Sequence, residues 1–227
     1  MSLPYSNLPT RDKTKAEVSW NRAKKYEDSL IQDLFCGQLE SSVRCQQCGH
    51  ISTTFEMIWD LSIPVSPSGN QIYTTLEDCL KEYFREEYLE APYKCEICKV
   101  MVKATKKLSI SRFPAILVLH FKRFKSDPGS YQPTRKLNHP ITFPVKTLRF
   151  DDFQSSVSET KKTAYRLTSV SNHFGSLFGG HYTATTKNWI DENWSDRNDS
   201  QVSPLGSNDN VHDNKAAYIL FYERIYH

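Results

Sequence analysis

The sequence predicts an α+β fold in which strands outnumber helices. Several runs rich in β-branched and aromatic residues favour strands, at 51–59, 101–110, 115–121, 167–170, 182–184 and 217–222. Helical periodicity occurs in only two segments, 16–35 and 75–84. With 227 residues, the chain can bury a full core, either as one domain or as one domain with a protruding subdomain.

Composition limits the classes of function. A content of 38% hydrophobic and 24% charged residues is ordinary for a globular protein, and a net charge of +3 is too small to indicate nucleic-acid binding. No apolar run approaches the roughly 20 residues of a membrane helix, and the N-terminus lacks the apolar stretch of a secretion signal. We therefore expect a soluble intracellular protein of the cytoplasm, the nucleus or both.

The N-terminal part of the chain is predicted to hold one amphipathic helix. Residues 1–15, which include Pro4 and Pro9, favour an irregular lead-in. The helix would begin near Ala16 and end before Gly37, since glycine commonly follows a helix. Its buried face would be formed by Tyr26, Leu30, Ile31, Leu34 and Phe35.

A second helix is predicted to begin after Thr75, which is a good N-cap followed by acidic residues in the first turn. The residues at helical spacing that form its buried stripe are Leu76, Cys79, Leu80, Tyr83 and Phe84. The apolar run 115–121 predicts a central strand buried on both faces, in which His120 is a structural histidine. The polar segments 125–140 and 151–163 are predicted to be mobile loops.

Four of the six cysteines form two Cys-x-x-Cys pairs, Cys45 with Cys48 and Cys95 with Cys98. Each pair can present two thiolates to one metal ion, and two pairs complete a tetrahedral structural zinc site. An intracellular location also favours metal binding over disulfides. Unmetallated pairs or two disulfides remain alternatives. The other two thiols, expected to be ordinary buried side chains, are Cys36 and Cys79.

The segment 170–184 places a glycine-bearing turn between two β-prone runs, with His181 at the start of the second run. Glycines allow positive φ angles and the close approach of another backbone. A histidine held by a strand beside such a turn is well placed to act as a general base. From this stretch alone, a half-buried histidine in a glycine-rich hairpin is an equal alternative.

Asn198 and Asp199 follow His181 along the chain and could fix the orientation and tautomer of its imidazole. The segments 180–184 (Gly-His-Tyr-Thr-Ala), 198–202 (Asn-Asp-Ser-Gln-Val) and 217–222 (Ala-Tyr-Ile-Leu-Phe-Tyr) resemble, in this order, the C-terminal catalytic region of the ubiquitin-specific proteases. The segments 37–42 and 44–49 (Arg-Cys-Gln-Gln-Cys-Gly) resemble the family members that carry a zinc ribbon. The resemblance thus covers nearly the whole chain.

This resemblance implies a papain-like fold, with zinc-ribbon β fingers at about 38–110 and a palm at 111–227. It implies a thiol-dependent deubiquitinase that binds ubiquitin and ubiquitin-conjugated proteins and cleaves after the Gly-Gly tail of ubiquitin. His181 would be the general base and Asn198 its orienting group, with Asp199 as a substitute. The cleft for the tail would be lined by His173, Gly179, Gly180 and Tyr182.

The sequence departs from the family pattern at the nucleophile. The family carries it in a Gly-Asn-Thr-Cys-Tyr-type box, which none of the six cysteines matches, and most of the helical thumb is also unmatched. Smaller departures are Arg197 and Thr185, at positions where the family commonly has aromatic residues. We therefore expect this chain to be inactive alone, as a truncated sequence, an isoform or a relative that has lost its nucleophile.

Two other functions remain open. The first is a non-catalytic ubiquitin-binding module, which a ubiquitin electrophile would distinguish from an enzyme. The second is a nucleic-acid-binding zinc ribbon, which the acidic stretch 82–90 between the cysteine pairs disfavours.

Overall fold

The helices and strands of the computed structural model are assembled into two units, each built from separate stretches of the chain. The structure describes residues 8–26, 28–66, 73–126, 129, 132, 134–158, 163–207 and 215–226. The first unit comprises 1–59, 84–115 and 150–163, and the second comprises 60–83, 116–149 and 164–227.

Three α-helices are present among the described residues: α1 (Leu8–Lys24), α2 (Leu30–Phe35) and α3 (Leu76–Tyr83). The strands among the same residues are β1 (Gly37–Cys45), β2 (Ile51–Ile58), β3 (Leu61–Pro64), β4 (Glu87–Tyr88), β5 (Tyr93–Lys94), β6 (Met101–Val102), β7 (Ala104–Arg112), β8 (Ile116–Lys122), β9 (Phe124–Lys125), β10 (Arg135–Lys136), β11 (Leu148–Arg149), β12 (Ala164–Gly175), β13 (Gly180–Lys187), β14 (Trp194–Asn198), β15 (Gln201–Gly206) and β16 (Ala217–Ile225). This strand-rich content confirms the α+β class.

The first unit is organised around β1, which pairs with β2 on one side and β7 on the other, both antiparallel. The sheet order is β2-β1-β7-β4, and a separate two-stranded ribbon joins β5 to β6. Helix α1 packs on β2, where the hydroxyl of Ser19 donates to the carbonyl of Phe55 at 2.9 Å. The turns after β1 and β5 carry the two cysteine pairs.

The prediction of one helix from Ala16 to Phe35 was wrong. Helix α1 already begins at Leu8, so residues 8–15 are not an irregular lead-in, while residues 1–7 lie outside the described residues. The second helix starts afresh because the Ser29 hydroxyl accepts a hydrogen bond from the N–H of Gln32 at 3.2 Å. Because of this break, the residues of the expected buried face do not all point to the core. The exposed fractions are 80% for Tyr26, 71% for Leu30 and 59% for Ile31.

The second unit contains an eight-stranded sheet with the order β15-β14-β13-β12-β16-β8-β3, and β11 also pairs with β12. All pairs are antiparallel except β3 with β8. Helix α3 packs near β3 and is capped as predicted, because the Thr75 hydroxyl accepts from the N–H of Asp78 at 3.2 Å. Its residues Leu76, Cys79 and Leu80 are fully buried, which confirms most of the predicted stripe.

Strand β8 was predicted to be buried on both faces, and this was wrong. Leu117, Leu119 and Phe121 are buried, whereas the residues between them are only half-buried. Antiparallel sheets often pack one face on the core and leave the other partly solvated. His120 lies on the half-buried face, with its Nδ1 atom 3.0 Å from the hydroxyl of Ser62, which agrees with a structural role.

The two predicted mobile loops contain ordered structure. Segment 125–140 includes β10, and segment 151–163 includes a short 3₁₀ helix, Asp151–Phe153. The backbone N–H of Ser155 donates to the carbonyl of Ile110 at 2.9 Å, and its hydroxyl donates to the buried carboxylate of Glu40. Residues 127, 128, 130, 131, 133 and 159–162 lie outside the described residues.

No helix in the described parts of the chain is both long enough and apolar enough to cross a membrane.

Candidate functional site

The two cysteine pairs come together in the first unit. The Sγ atoms of Cys45, Cys48, Cys95 and Cys98 all lie within 4.8 Å of one another. Two of the separations that join the pairs are 3.9 Å, from Cys45 to Cys98, and 3.7 Å, from Cys48 to Cys95. These values are close to the ~3.8 Å edge of a tetrahedron of thiolates at about 2.3 Å from zinc. They are much too long for a disulfide of about 2.05 Å.

Matching backbone turns create this arrangement. In the first turn, the N–H groups of Gln47 and Cys48 lie 3.4 Å from the Cys45 sulfur, and in the second the N–H of Cys98 lies 3.5 Å from the Cys95 sulfur. Each turn closes on a residue of positive φ, 73° at Gly49 and 60° at Lys99. The N–H of Cys48 is the main cause that lowers the pKa of the Cys45 thiol to about 7.

The donor set therefore fits zinc. Four thiolates in a tetrahedron fill every coordination position and leave none for a reacting water, which makes the site structural. Cys45 and Cys95 are buried against Val102, with Tyr93 beside them, so the metal would hold a small apolar cluster together.

The predicted histidine site lies in the second unit, on the β12–β13 hairpin. Gly175 pairs with Gly180 at its end, and the N–H of Ser176 donates to the carbonyl of Gly179 at 2.9 Å. His181 is the second residue of β13 and is about half exposed, with 49% of its side chain accessible. The histidine thus stands on a strand immediately after a tight turn.

The tight turn depends on glycine at both ends. Gly175 has a φ of 121°, and a Cβ atom there would lie 2.5 Å from the carbonyl oxygen of Gly179. A Cβ atom on Gly180 would lie 2.3 Å from the carbonyl oxygen of Phe174 and 2.5 Å from Nε2 of His173. Side chains at these two positions would therefore force the hairpin end apart.

Asn198 is brought to His181 by β14, which pairs with β13. The Oδ1 atom of Asn198 lies 2.6 Å from Nε2 of His181. Asp199 follows in the β14–β15 turn with a φ of 51°, and its Oδ2 atom lies 3.9 Å from the same nitrogen. The structure thus joins the predicted histidine and asparagine by a hydrogen bond and leaves the aspartate beyond hydrogen-bond distance.

The other residues singled out for the cleft differ in their exposure. Gly179, Gly180 and Tyr182 are exposed. His173 is buried in an aromatic cluster, with ring centroids 4.7 Å from Tyr182, 5.7 Å from Phe124 and 5.8 Å from Tyr218. Burial, and secondarily Lys136, lowers the pKa of His173. The His173 ring packs against Gly180 and so supports the hairpin. A role of His173 in binding a substrate stays a prediction.

Two residues of the site were missed by sequence reasoning. Phe178 stands 98% exposed in the turn itself, and a bulky apolar residue between glycines was a signal that could have identified it. Lys136 donates to the backbone of β12, and no local pattern indicates such a long-range contact.

The remaining thiols are buried. Cys79 is fully inaccessible, and burial raises its pKa to about 12. Cys36 is 4% exposed, with its sulfur 3.6 Å from the carbonyl of Gly37. A reactive cysteine needs exposure and a lowered pKa, and neither of these residues has the exposure.

Comparison with known proteins identifies relatives of this chain. Ubiquitin carboxyl-terminal hydrolase 2 of Gallus gallus is 42% identical over 226 residues, which cover 97% of this chain and 61% of the relative. The Bos taurus protein of the same name is 41% identical, over 93% of this chain and 34% of the relative. The chain thus spans less than two thirds of the length of these relatives.

Among solved structures, the SAGA Ubp8/Sgf11/Sus1/Sgf73 DUB module bound to ubiquitin aldehyde contains a similar chain. The TM-score is 0.76 at 28% identity, and the match covers 96% of this chain and 48% of the other. The sequence model of the family described as ubiquitin carboxyl-terminal hydrolase matches residues 6–222. This chain therefore belongs to the ubiquitin carboxyl-terminal hydrolase family.

Proposed function

We propose that these residues form the histidine-bearing and zinc-bearing parts of a thiol-dependent deubiquitinase that cleaves after the Gly-Gly tail of ubiquitin. The observation that carries the proposal is the 2.6 Å contact between Nε2 of His181 and Oδ1 of Asn198. An amide oxygen only accepts hydrogen bonds, so this contact favours the tautomer that carries its proton on Nε2. The Nδ1 atom then keeps its lone pair and is free to act as the base.

The role of each group follows from this tautomer. In an enzyme that also carries the nucleophile, Nδ1 of His181 takes the proton of the cysteine thiol and later donates it to the leaving amine. Asn198 holds the ring in the plane that this transfer needs. Asp199, at 3.9 Å, is 80% exposed, so it stabilises the imidazolium only weakly through solvent.

Ubiquitin is the proposed partner and ubiquitin-conjugated proteins are the proposed substrates. Gly179, Gly180 and Tyr182 are exposed beside His181, and the close approach of a backbone to glycines suits a tail of two glycines. The solved relative bound to ubiquitin aldehyde supports the same ligand. In this proposal the zinc ribbon, at about 38–110, contacts the folded part of ubiquitin, and 111–227 forms the palm, in the cytoplasm or the nucleus.

We further propose that these 227 residues alone do not hydrolyse ubiquitin conjugates. Four of the six cysteines are grouped as metal ligands, and Cys36 and Cys79 are buried. Hydrolysis requires a thiolate beside the imidazole and hydrogen-bond donors facing the oxyanion. The burial of the two remaining thiols favours, as a second candidate, a module that binds ubiquitin without cleaving it.

One experiment tests the proposal and separates the two candidates. The 227-residue chain is titrated with ubiquitin by calorimetry and then incubated with a fluorogenic ubiquitin substrate and with a ubiquitin vinyl sulfone. We expect saturable binding, no turnover and no covalent adduct. Turnover or an adduct on any cysteine would contradict the proposed lack of a nucleophile. Failure to bind ubiquitin would contradict the deubiquitinase and binding-module functions together.

A further inference from the structure

Lys136 makes an unusual contact with the strand that leads into the histidine hairpin. It is the last residue of β10, and its Nζ atom donates to the carbonyl of His173 at 2.6 Å and lies 3.4 Å from the carbonyl of Gly175. Both carbonyls belong to the end of β12, directly before the turn that precedes His181. Lysine ammonium groups are more often found in solvent than in contact with two backbone carbonyls.

The two carbonyls lie beyond the last pair of residues that the structure describes between β12 and β16. Among the residues that the structure describes, β16 pairs with β12 as far as Asn172 with Ala217, followed by one bond from the N–H of His173 to the carbonyl of Ala216. In a strand, the N–H and C=O of one residue point to the same side, and so do those of the residue two positions on. The carbonyls of His173 and Gly175 therefore face the same side of β12 as this bond. The ammonium group of Lys136 contacts both of these carbonyls and so links the end of β12 to β10.

The segment that carries Lys136 is itself firmly held. Arg123 is fully buried and donates to the carbonyls of Leu137 at 2.9 Å and His139 at 3.0 Å. The same guanidinium donates to the carbonyl of Ala217, the first residue of β16, at 2.7 Å. The segment that carries Lys136 is thus hydrogen-bonded through Arg123 to β16 of the sheet. Burial, followed by the charge of Arg123, lowers the pKa of Lys136.

We propose that Lys136 is a positioning residue for His181. By holding the carbonyls of His173 and Gly175, it fixes the end of β12, and with it the Ser176–Gly179 turn and the start of β13. The His181 ring then stays where its Nε2 atom meets Asn198. The catalytic consequence rests on the proposed function, but the positioning itself is testable in a chain that does not turn over substrate.

The test compares Lys136→Met, Lys136→Arg and Lys122→Met in the zinc-loaded 227-residue chain. Methionine keeps the length of the side chain and removes the donor, arginine restores donors, and Lys122 is an exposed control at the end of β8. Amide hydrogen exchange of Ser176 and the ring nitrogen shifts of His181 are recorded by NMR. We expect Lys136→Met to speed exchange at Ser176 by roughly tenfold, the usual effect of losing such bonds locally.

The same variant should shift the His181 ring nitrogens toward a mixture of tautomers, while Lys136→Arg and Lys122→Met resemble the unchanged protein. Equal exchange rates and ring shifts in all variants would overturn the inference, whether or not the protein binds ubiquitin. Because Lys136→Met could fail to fold, a second measurement uses the unchanged protein alone. The Nζ protons of Lys136 in the unchanged protein should exchange with water at least tenfold more slowly than those of Lys122, and equally fast exchange would also overturn the inference.

Discussion

The Oδ1 atom of Asn198 lies 2.6 Å from Nε2 of His181, whereas the carboxylate of the next residue, Asp199, lies 3.9 Å from the same nitrogen. Neighbouring residues of one turn therefore have unequal access to the imidazole. The amide is within hydrogen-bond distance, and the carboxylate is not.

Substitution of these two residues should reveal their unequal roles. In the proposed deubiquitinase, supplied with its nucleophile, we expect Asn198→Ala to lower kcat/KM by roughly hundredfold, because the ring loses its orienting acceptor. Asp199→Ala should lower it by less than roughly tenfold, since an exposed carboxylate contributes little. Steady-state kinetics with a fluorogenic ubiquitin substrate measures both. A larger loss for Asp199→Ala would show that the turn rearranges when substrate binds and that the aspartate is the orienting group.

The pH dependence of stability should reflect three histidines. Burial is the main cause that lowers the pKa of His120, His139 and His173 in the folded protein. The unfolded chain binds protons at the ordinary histidine pKa of about 6.5. The unfolded state therefore binds more protons as the pH falls through about 6.5, and the free energy of unfolding should decrease over that range.

His139→Gln isolates one of these contributions. The Nε2 atom of His139 lies 3.0 Å from the carbonyl of Val65, a contact that the amide of glutamine can imitate. Urea unfolding between pH 5 and 7.5 should give a shallower slope of stability against pH in the variant, with the other titrating groups common to both proteins. Identical slopes would show that His139 titrates alike in the folded and unfolded states.

The elements predicted correctly from sequence are those in which local signals agree with tertiary packing. Thr75 predicted the start of α3 because an N-cap acts within one turn. The Cys-x-x-Cys spacing predicted the group of four thiols because each pair forms its own turn. The N-terminal helix was misjudged because the capping of α2 by Ser29 outweighed a helical period that continued across the break. Lys136 could not be predicted, since its partners at His173 and Gly175 are distant in sequence and are backbone atoms.

Removal of one zinc ligand should release the metal and loosen the first unit. Cys95→Ser leaves three thiolates, and metal binding at such sites contributes on the order of 10 kcal/mol to folding. We expect one zinc per chain in the unchanged protein, little zinc in the variant and a lower melting temperature. Cys36→Ala is the matched control, because Cys36 is buried outside the cluster. Elemental analysis together with thermal unfolding checks this, and a folded, zinc-free unchanged protein would contradict it.

Neighbouring glycines of the histidine hairpin provide a further matched comparison. A Cβ atom on Gly180 would lie 2.3 Å from the carbonyl oxygen of Phe174 and 2.5 Å from Nε2 of the buried His173. A Cβ atom on Gly179 would meet nothing within 4 Å. Gly180→Ala should therefore open the end of the β12–β13 pair, where neither the backbone nor the enclosed ring can move away easily.

We expect Gly180→Ala to cost about 1–3 kcal/mol of folding free energy and to displace His181, while Gly179→Ala changes stability by less than about 1 kcal/mol. Urea unfolding gives the two free energies, and the ring nitrogen shifts of His181 report its displacement. Affinity for ubiquitin should fall with Gly180→Ala if the tail binds along this turn. Equal stability of the two variants would mean that the hairpin end relaxes freely. In that case the separation of 2.6 Å between His181 and Asn198 is not maintained by the turn.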